Sequence, residues 1–329
     1  MRLPRRQFLR LAAGAVGLPA LPRIAMAQAY PTRPITIIVP SPPGGAPDVI
    51  GRIVAERMRV SMGQPIIIEN MGGANGSTAL GRVARAAPDG YTVGLGIWNT
   101  HVVNAAVYAL RYDVQNDFEP VALLASYSPL LVARKTLPAN DLKGLISWLK
   151  TNPDKASLGH PGIGSLGHLL GIFFQNLTAT RFQLVPYRGT PLAMQDLVAG
   201  QIDLQFSDTG TAVPQIRAGT IKAFAMVAKS RSAVALDIPT CDEAGLPGFH
   251  AANWSGFWVP KGTSKDVVRQ LNAAVVDALA DSAVRQKLAG QGFEILPRDQ
   301  QTPEALATLQ KAEIDKWWPI IKAANVKLE

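Results

Sequence analysis

Short β-branched runs alternate with amphipathic helical stretches along this chain, and this alternation constrains the fold more than any other feature of the sequence. We predict a first set of strands at residues 35–39, 65–69 and 91–97. The helix after the first strand carries Ile50, Val54 and Met58 on one apolar stripe, with Arg52 and Glu56 on the opposite face. Alternation of this kind predicts a parallel sheet with helices on both faces.

The same alternation restarts after residue 140 and indicates a second lobe. We predict its strands at residues 156–159, 183–187, 202–206 and 222–227. Asp141 is predicted to cap one helix of this set, and Thr190 to cap another with Pro191 at its first helical position. The tail is predicted to contain a helix, a short strand and a final capped helix, at residues 264–290, at residues 293–296 and from residue 302 onwards. The chain should therefore be an α/β protein with two lobes, each a mostly parallel sheet flanked by helices.

The first 27 residues have the pattern of an export signal. They contain five arginines and no acidic residue, followed by a short apolar run at residues 11–21 and the small-residue pattern AMA at residues 25–27. The apolar run is far shorter than the roughly 20 residues that span a bilayer, so we expect cleavage after Ala27. The sequence RRQFL at residues 5–9 resembles a twin-arginine signal, with Pro4 where that pattern usually has Ser or Thr. The alternative is an ordinary secretion signal with paired arginines.

Composition excludes several classes of protein. Apolar residues make up 47% and charged residues 17% of the chain, which excludes intrinsic disorder. The net charge of +9 suggests a nucleic-acid partner, but residues 28–329 hold 28 basic and 24 acidic residues, so we expect none. The single cysteine, Cys241, excludes an intramolecular disulfide and a cysteine-based zinc site.

Four strand-to-helix loops are rich in small residues. They lie at residues 41–48, 72–78, 159–165 and 188–190. Each brings free backbone N–H groups to a helix N-terminus, and glycine lets an anion approach that backbone closely. A tight turn explains any one of these loops, whereas four together, two from each lobe, favour an anion site in the cleft between the lobes.

The catalytic alternatives are weaker. The sequence GSLG at residues 164–167 resembles a nucleophile elbow, but Ile163 stands where that motif needs glycine. An exported α/β hydrolase would need Ser165 or Ser77 to be activated by a histidine that the sequence does not place. The four histidines lack metal-ligand spacing and no dinucleotide-binding glycine motif opens a helix, so we expect no metal, no cofactor and no catalytic residue.

The same loops resemble the tripartite tricarboxylate transporter substrate-binding (Bug-type) family of periplasmic proteins. The resemblance extends from about residue 30 to residue 329. It is carried by YPTRPITIIVPSPPGGAPDV, GQPIIIENMGGANGSTA, ARAAPDGYTV, SLGHPGIGSLGHL, VPYRGT, LVAGQIDLQF, IPTCDEAGLPGF and WSGFWVPKGT. It implies a type II periplasmic-binding-protein fold and a monomer that binds a small carboxylate and delivers it to membrane transporter subunits. A sensor that uses the same cleft to signal to a membrane receptor is a further alternative.

The resemblance also implies where the ligand binds. Its contacts would come from the four loops and from the end of the strand at residues 202–206. The implied ligand-binding residues are Pro43, Gly44, Gly45, Asp48, Ala74, Gly76, Ser77, Thr78, Gly162, Gly164, Ser165, Tyr187, Gly189, Thr190, Ser207 and Asp208. Two positions depart from the family pattern, which often has Asp where this chain has Ser207 and Phe where it has Ser41. Both departures bear on which ligand is bound.

The order of elements divides the chain into segments. Residues 28–124 are predicted to form the first part of lobe 1, residues 125–252 lobe 2, and residues 253–329 the completion of lobe 1 with its C-terminal helices. The two crossings between lobes are then near residues 124–128 and 251–256, where we expect the lobes to hinge.

We predict that exported protein begins near Gln28, because small residues occupy the cleavage positions before it. Edman sequencing of the protein from a periplasmic extract tests this, and an intact Met1 there would contradict it.

Replacing both Arg5 and Arg6 with Lys should block export if the twin-arginine route is used. Unchanged export of that variant would exclude the twin-arginine route and indicate an ordinary secretion signal.

Overall fold

The computed structural model describes residues 30–323, so the predicted export signal and the last six residues lie outside the described range. Within that range ten strands form two five-stranded sheets. In chain order they are β1 (Ile35–Val39), β2 (Ile66–Asn70), β3 (Thr92–Ile97), β4 (Phe118–Tyr127), β5 (Leu130–Arg134), β6 (Ser157–His160), β7 (Gln183–Pro186), β8 (Leu204–Ser207), β9 (Ile221–Met226) and β10 (Asn253–Pro260).

The two sheets share one arrangement. The first has the order β2-β1-β3-β10-β4 and the second the order β7-β6-β8-β5-β9. In each sheet the fourth strand of this order pairs antiparallel with both neighbours, while the first three strands are parallel. Four of five strands therefore point the same way in each sheet, and the predicted pair of mostly parallel sheets is confirmed.

Helices cover the sheets and connect their strands. They are α1 (Ala46–Met62), α2 (Ser77–Ala84), α3 (Asn104–Val107), α4 (Leu142–Thr151), α5 (Leu166–Thr178), α6 (Thr190–Val198), α7 (Thr209–Arg217), α8 (Lys265–Ala280), α9 (Ser282–Gly290) and α10 (Pro303–Ala323). A π-helix at Asn99–Val103 precedes α3. None of the helices within residues 30–323 is both long and apolar enough to cross a membrane.

Helix capping agrees with the sequence at one predicted position and differs at another. Asp141 caps α4 as predicted, since its carboxylate accepts a hydrogen bond from Gly144 N at 2.7 Å. The prediction for Thr190 was wrong by one residue, because Gly189 precedes the first turn of α6 and Thr190 lies within it. With the extended Gly189 at the cap position, the helix begins at Thr190, one residue earlier than it would with a threonine cap.

The predicted tail differs from the structure in two places. The helix expected over residues 264–290 is broken at Asp281, whose extended backbone ends α8 and whose carboxylate accepts from Ala283 N and Val284 N to start α9. The strand expected at residues 293–296 is a single bridge between Ser126 and Glu294. An aspartate that caps a new helix is more stable at such a break than inside one continuous helix.

Strands β4, β5 and β10 were not predicted, although they complete both sheets. Strand β4 contains Pro120 and a run of Ala and Leu, which does not have the composition typical of a strand. Strand β10 is buried along its whole length and therefore has no alternation of apolar and polar residues. These strands depend on pairing partners distant in sequence, such as β10 with β3 and β4.

Hydrogen bonds join the two lobes across the cleft. The Tyr108 hydroxyl of lobe 1 donates to the Ile163 carbonyl oxygen of lobe 2 at 2.7 Å. At the opposite side the Thr209 hydroxyl donates to the Gln291 carbonyl oxygen at 2.7 Å. The chain passes from the first sheet to the second after Tyr127 and returns at the start of β10.

A stack of two buried rings fills the core of lobe 1 beneath the cleft. The His101 ring lies 3.7 Å from the Trp258 ring with an interplanar angle of 18°. Gly96 of β3 pairs with Gly256 of β10 in the sheet below these rings. Because neither glycine has a side chain, the two rings can lie close to the sheet.

We predict that Gly96→Ala lowers the free energy of unfolding by about 1–3 kcal/mol, because the added methyl group would overlap the His101 and Trp258 rings. Urea denaturation of the purified protein measures this change. The matched control is Gly290→Ala at the end of α9, where a methyl group meets no atom within 4 Å. The control should leave stability unchanged or raise it by up to about 1 kcal/mol. Equal stabilities for the two variants would contradict this account of the core.

Candidate functional site

A cavity of about 440 Å³ lies between the lobes, where the four small-residue loops meet. Nine of the predicted ligand-binding residues line it: Gly45, Ala74, Gly76, Gly162, Ser165, Tyr187, Gly189, Thr190 and Asp208. Seven others do not line it: Pro43, Gly44, Asp48, Ser77, Thr78, Gly164 and Ser207. The structure thus brings all four loops to one cavity, and direct contact of each residue with a ligand stays a prediction.

Asp48 lies in the first turn of α1, and its carboxylate is hydrogen bonded to neighbouring groups of the protein. Its side chain accepts hydrogen bonds from Gly44 N at 2.9 Å, from Arg52 Nε at 2.9 Å and from Asn70 Nδ2 at 2.8 Å. These donors hold the pKa of the Asp48 carboxyl below its usual range, although burial alone would raise it. The carboxylate therefore closes the first loop onto β2.

The second loop has an unusual backbone. Gly73, Ala74, Asn75 and Gly76 all have positive φ angles, of 111°, 45°, 51° and 87°. A positive φ costs about 1 kcal/mol or more for a residue such as Ala74, so neighbouring contacts must stabilise this turn.

Two asparagines from the π-helix and α3 stabilise that turn. Asn99 Nδ2 and Asn104 Nδ2 both donate to the Asn75 carbonyl oxygen, at 3.2 and 3.0 Å. Asn75 Nδ2 in turn donates to Asn104 Oδ1 at 2.8 Å, and Asn104 Nδ2 also donates to Ser77 Oγ at 2.9 Å. Both Asn75 and Asn99 line the cavity. Asn75 lies within the predicted loop at residues 72–78 but was not among the predicted ligand-binding residues. Asn99 was not predicted, because no local pattern marks it as a partner of a turn 24 residues earlier.

The third loop rests on two buried histidines. His168 Nδ1 accepts from Gly164 N at 3.2 Å, and His160 Nδ1 lies 2.9 Å from the Gly162 carbonyl oxygen. The two rings are 4.6 Å apart. Burial, joined at His160 by the neighbouring His168, lowers the pKa of each ring to about 4. Both rings are therefore uncharged near neutral pH and act as hydrogen-bonding supports of the loop.

Asp208, Tyr127 and Asn253 form the floor of the cavity. Asp208 caps α7, with Oδ1 accepting from Thr211 N at 2.8 Å and Oδ2 from Thr211 Oγ1 at 3.0 Å. Asn253 Nδ2 donates to the Tyr127 hydroxyl at 3.0 Å. Burial raises the pKa of the Asp208 carboxyl, and the nearby Asp208 charge together with burial raises that of Tyr127. Tyr127 and Asn253 lie within the crossings predicted at residues 124–128 and 251–256, but they were not predicted to line the cavity.

Backbone N–H groups remain free on both walls. Ala74 and Asn75 of lobe 1, and Leu166, Gly167 and Thr190 of lobe 2, line the cavity. Within residues 30–323 none of these five N–H groups has a hydrogen-bond acceptor. N–H groups at the starts of α5 and α6 also carry the positive ends of the helix dipoles.

The site does not have the arrangement of a serine hydrolase. Ser165 Oγ caps α5 by accepting from His168 N at 3.2 Å, and Ser77 Oγ accepts from Asn104. Within residues 30–323 no histidine ring nitrogen hydrogen bonds to a serine hydroxyl. The same range contains no group of three His, Cys, Asp or Glu side chains placed to hold a metal ion.

Comparisons with known proteins identify a family and several related structures. A sequence model of the family described as "Tripartite tricarboxylate transporter family receptor" matches residues 50–326. MatC from Rhodopseudomonas palustris, solved with bound malate, is 40% identical with a TM-score of 0.84, covering 89% of this chain and 100% of that one. The periplasmic binding protein BugD is 36% identical with a TM-score of 0.86, covering 91% and 100%. Rpa4515 from R. palustris, solved with adipate, is 32% identical with a TM-score of 0.86, covering 91% and 100%.

We predict that the free energy of unfolding falls as the pH decreases from 6.5 to 5. In this window unfolded histidines bind protons near their ordinary pKa of 6.5, whereas His160 and His168 stay neutral in the folded protein. Each contributes a slope of up to about 1.4 kcal/mol per pH unit. His168→Asn should reduce the slope, since Asn keeps an acceptor for Gly164 N but does not titrate. Denaturant unfolding at several pH values measures both slopes, and equal slopes would contradict the prediction.

Proposed function

Since this chain belongs to the tripartite tricarboxylate transporter receptor family, we propose that it is a periplasmic protein that captures a small carboxylate and delivers it to a membrane transporter. The observation that carries the proposal is the set of free backbone N–H groups on both walls of the cavity. Bound malate in MatC and bound adipate in Rpa4515 support a carboxylate as the ligand class. The export signal predicted at residues 1–27 supports a periplasmic location.

A carboxylate would satisfy the free N–H groups. The donors at Leu166 and Gly167 lie at the start of α5, and the donor at Thr190 lies at the start of α6. Charge-assisted hydrogen bonds from such N–H groups are about twice as strong as those between neutral groups. Arg188, which is exposed at the cavity, adds a positive charge.

Binding at this place would couple the ligand to lobe closure. The cavity has walls from both lobes, so a ligand that contacts both favours the closed arrangement over an open one. The Tyr108–Ile163 hydrogen bond belongs to the same closed arrangement, since it joins the two lobes beside the cavity. The crossings after Tyr127 and before Asn253 would serve as the hinge.

We predict that small carboxylates bind and stabilise the protein by about 2.7 kcal/mol at a hundredfold excess over the dissociation constant. Thermal-shift assays with succinate, malate, adipate and citrate, followed by titration calorimetry of each hit, measure this. Tyr108→Phe should weaken binding roughly two- to tenfold, because it removes one hydrogen bond of the closed arrangement.

The matched control is Tyr30→Phe. The Tyr30 hydroxyl also donates to a carbonyl oxygen at 2.7 Å, that of Gly90, but both residues lie in lobe 1. Binding by this control should equal that of the wild type. The proposal fails if only sugars or cations stabilise the protein, or if no carboxylate binds. If Tyr108→Phe and Tyr30→Phe weaken ligand binding equally, the proposed role of the Tyr108–Ile163 hydrogen bond in lobe closure is contradicted. Carboxylate binding itself would not be contradicted by that result.

A further inference from the structure

A stack of two aromatic rings joins the lobes away from the cavity. Phe173 of α5 and Trp317 of α10 have ring centroids 5.8 Å apart and an interplanar angle of 19°. Helix α5 belongs to lobe 2, whereas α10 packs against β4 and the π-helix of lobe 1. Neither ring lines the cavity. This interlobe stack therefore connects the lobes through groups that a ligand in the cavity does not contact.

Lobe 1 sets the position of the Trp317 ring. Glu313 Oε2 accepts hydrogen bonds from Trp317 Nε1 at 3.1 Å and from Trp98 Nε1 at 2.7 Å. The two indole rings meet edge to face with centroids 5.2 Å apart, and Trp98 is 1% exposed. Trp318 Nε1 donates to the Val102 carbonyl oxygen at 2.7 Å, which fixes α10 on the π-helix. The Trp317 ring therefore moves with lobe 1.

Helix α5 connects Phe173 to the opposite wall of the cavity. The helix begins at Leu166, whose free N–H group lies on the lobe 2 wall. Phe173 follows seven residues later, about 10 Å along the helix axis. Phe174, the next residue, is 1% exposed and contacts the Phe182 ring of the same lobe. A helix anchored in this way moves with lobe 2, so separation of the lobes would also separate Phe173 from Trp317.

We propose that the interlobe stack stabilises the closed arrangement of the lobes and thereby strengthens the binding of every ligand equally. The inference rests on the proposed function but not on which carboxylate is bound. Stacked aromatic pairs contribute more than their buried area alone. Both rings are half-buried, so water would reach their stacked faces when the lobes separate. A contact formed in only one of two arrangements shifts the population toward that arrangement.

Titration calorimetry of Phe173→Leu tests the inference, because leucine stays apolar but cannot stack. The probes are succinate, malate, adipate and citrate. Each probe that binds the wild type should bind this variant roughly two- to tenfold more weakly, by the same factor within about twofold. Trp317→Leu should also weaken binding. The double variant should bind no more weakly than the weaker single variant, since either change removes the whole contact.

The matched control is Phe182→Leu. This substitution also removes an aromatic contact of α5, that with Phe174, but both rings belong to lobe 2 and their centroids are 6.2 Å apart. The control should bind each carboxylate as the wild type does, and circular dichroism should show all variants folded. Wild-type affinity in Phe173→Leu, equal weakening in Phe182→Leu, or additive losses in the double variant would overturn the role of the interlobe stack.

Small-angle X-ray scattering without ligand separates this inference from the proposed function. Phe173→Leu should have a larger radius of gyration than the wild type and Phe182→Leu, because a smaller fraction of its molecules is closed. Equal radii would overturn the role of the interlobe stack. If none of the four carboxylates binds the wild type, the proposed function fails, and the radius of gyration alone then decides whether the stack holds the lobes together.

Discussion

The antiparallel pairing of β4 with β10 is the constraint on which the rest of the structure depends. At one end of this ladder Tyr127 pairs with Asn253, and both strands leave or enter the first sheet there. The two crossings between the lobes therefore lie side by side. The same two residues form the floor of the cavity together with Asp208. The connection between lobes and the candidate site thus share one short stretch of paired backbone.

Two of the four loops at the cavity are supported by uncharged side chains, whereas the first loop is held by the Asp48 carboxylate. The positive-φ turn at residues 73–76 is held by asparagine side chains, and the loop at residues 162–165 by two histidines that burial keeps neutral. Charge is confined to Arg188 near solvent and Asp208 at the floor. Backbone N–H groups that have no acceptor within residues 30–323 lie on both walls beside these two charges.

Much of the fold was predictable from local patterns. The β-branched runs, the apolar stripe of α1 and the aspartate cap of α4 act over a few residues, and the structure confirms each. The four loops could also be found, because glycine- and proline-rich breaks between strand and helix are visible without knowledge of pairing. Motifs distributed along the chain indicated the family, and the family model matches residues 50–326. The sequence alone thus determined the fold class, the two lobes and the loops of the site.

The tertiary structure decided which side chains complete that site. Asn99, Tyr108, Tyr127 and Asn253 line the cavity, yet no pattern around them differs from that of an ordinary strand or helix. Tyr127 and Asn253 reach the cavity through the pairing of two strands distant in sequence, whereas Asn99 and Tyr108 contact loops 24 and 55 positions away. Local propensity carries no information about such contacts, because they form only when distant parts of the chain come together. The burial of Asp208 likewise follows from the packing around it.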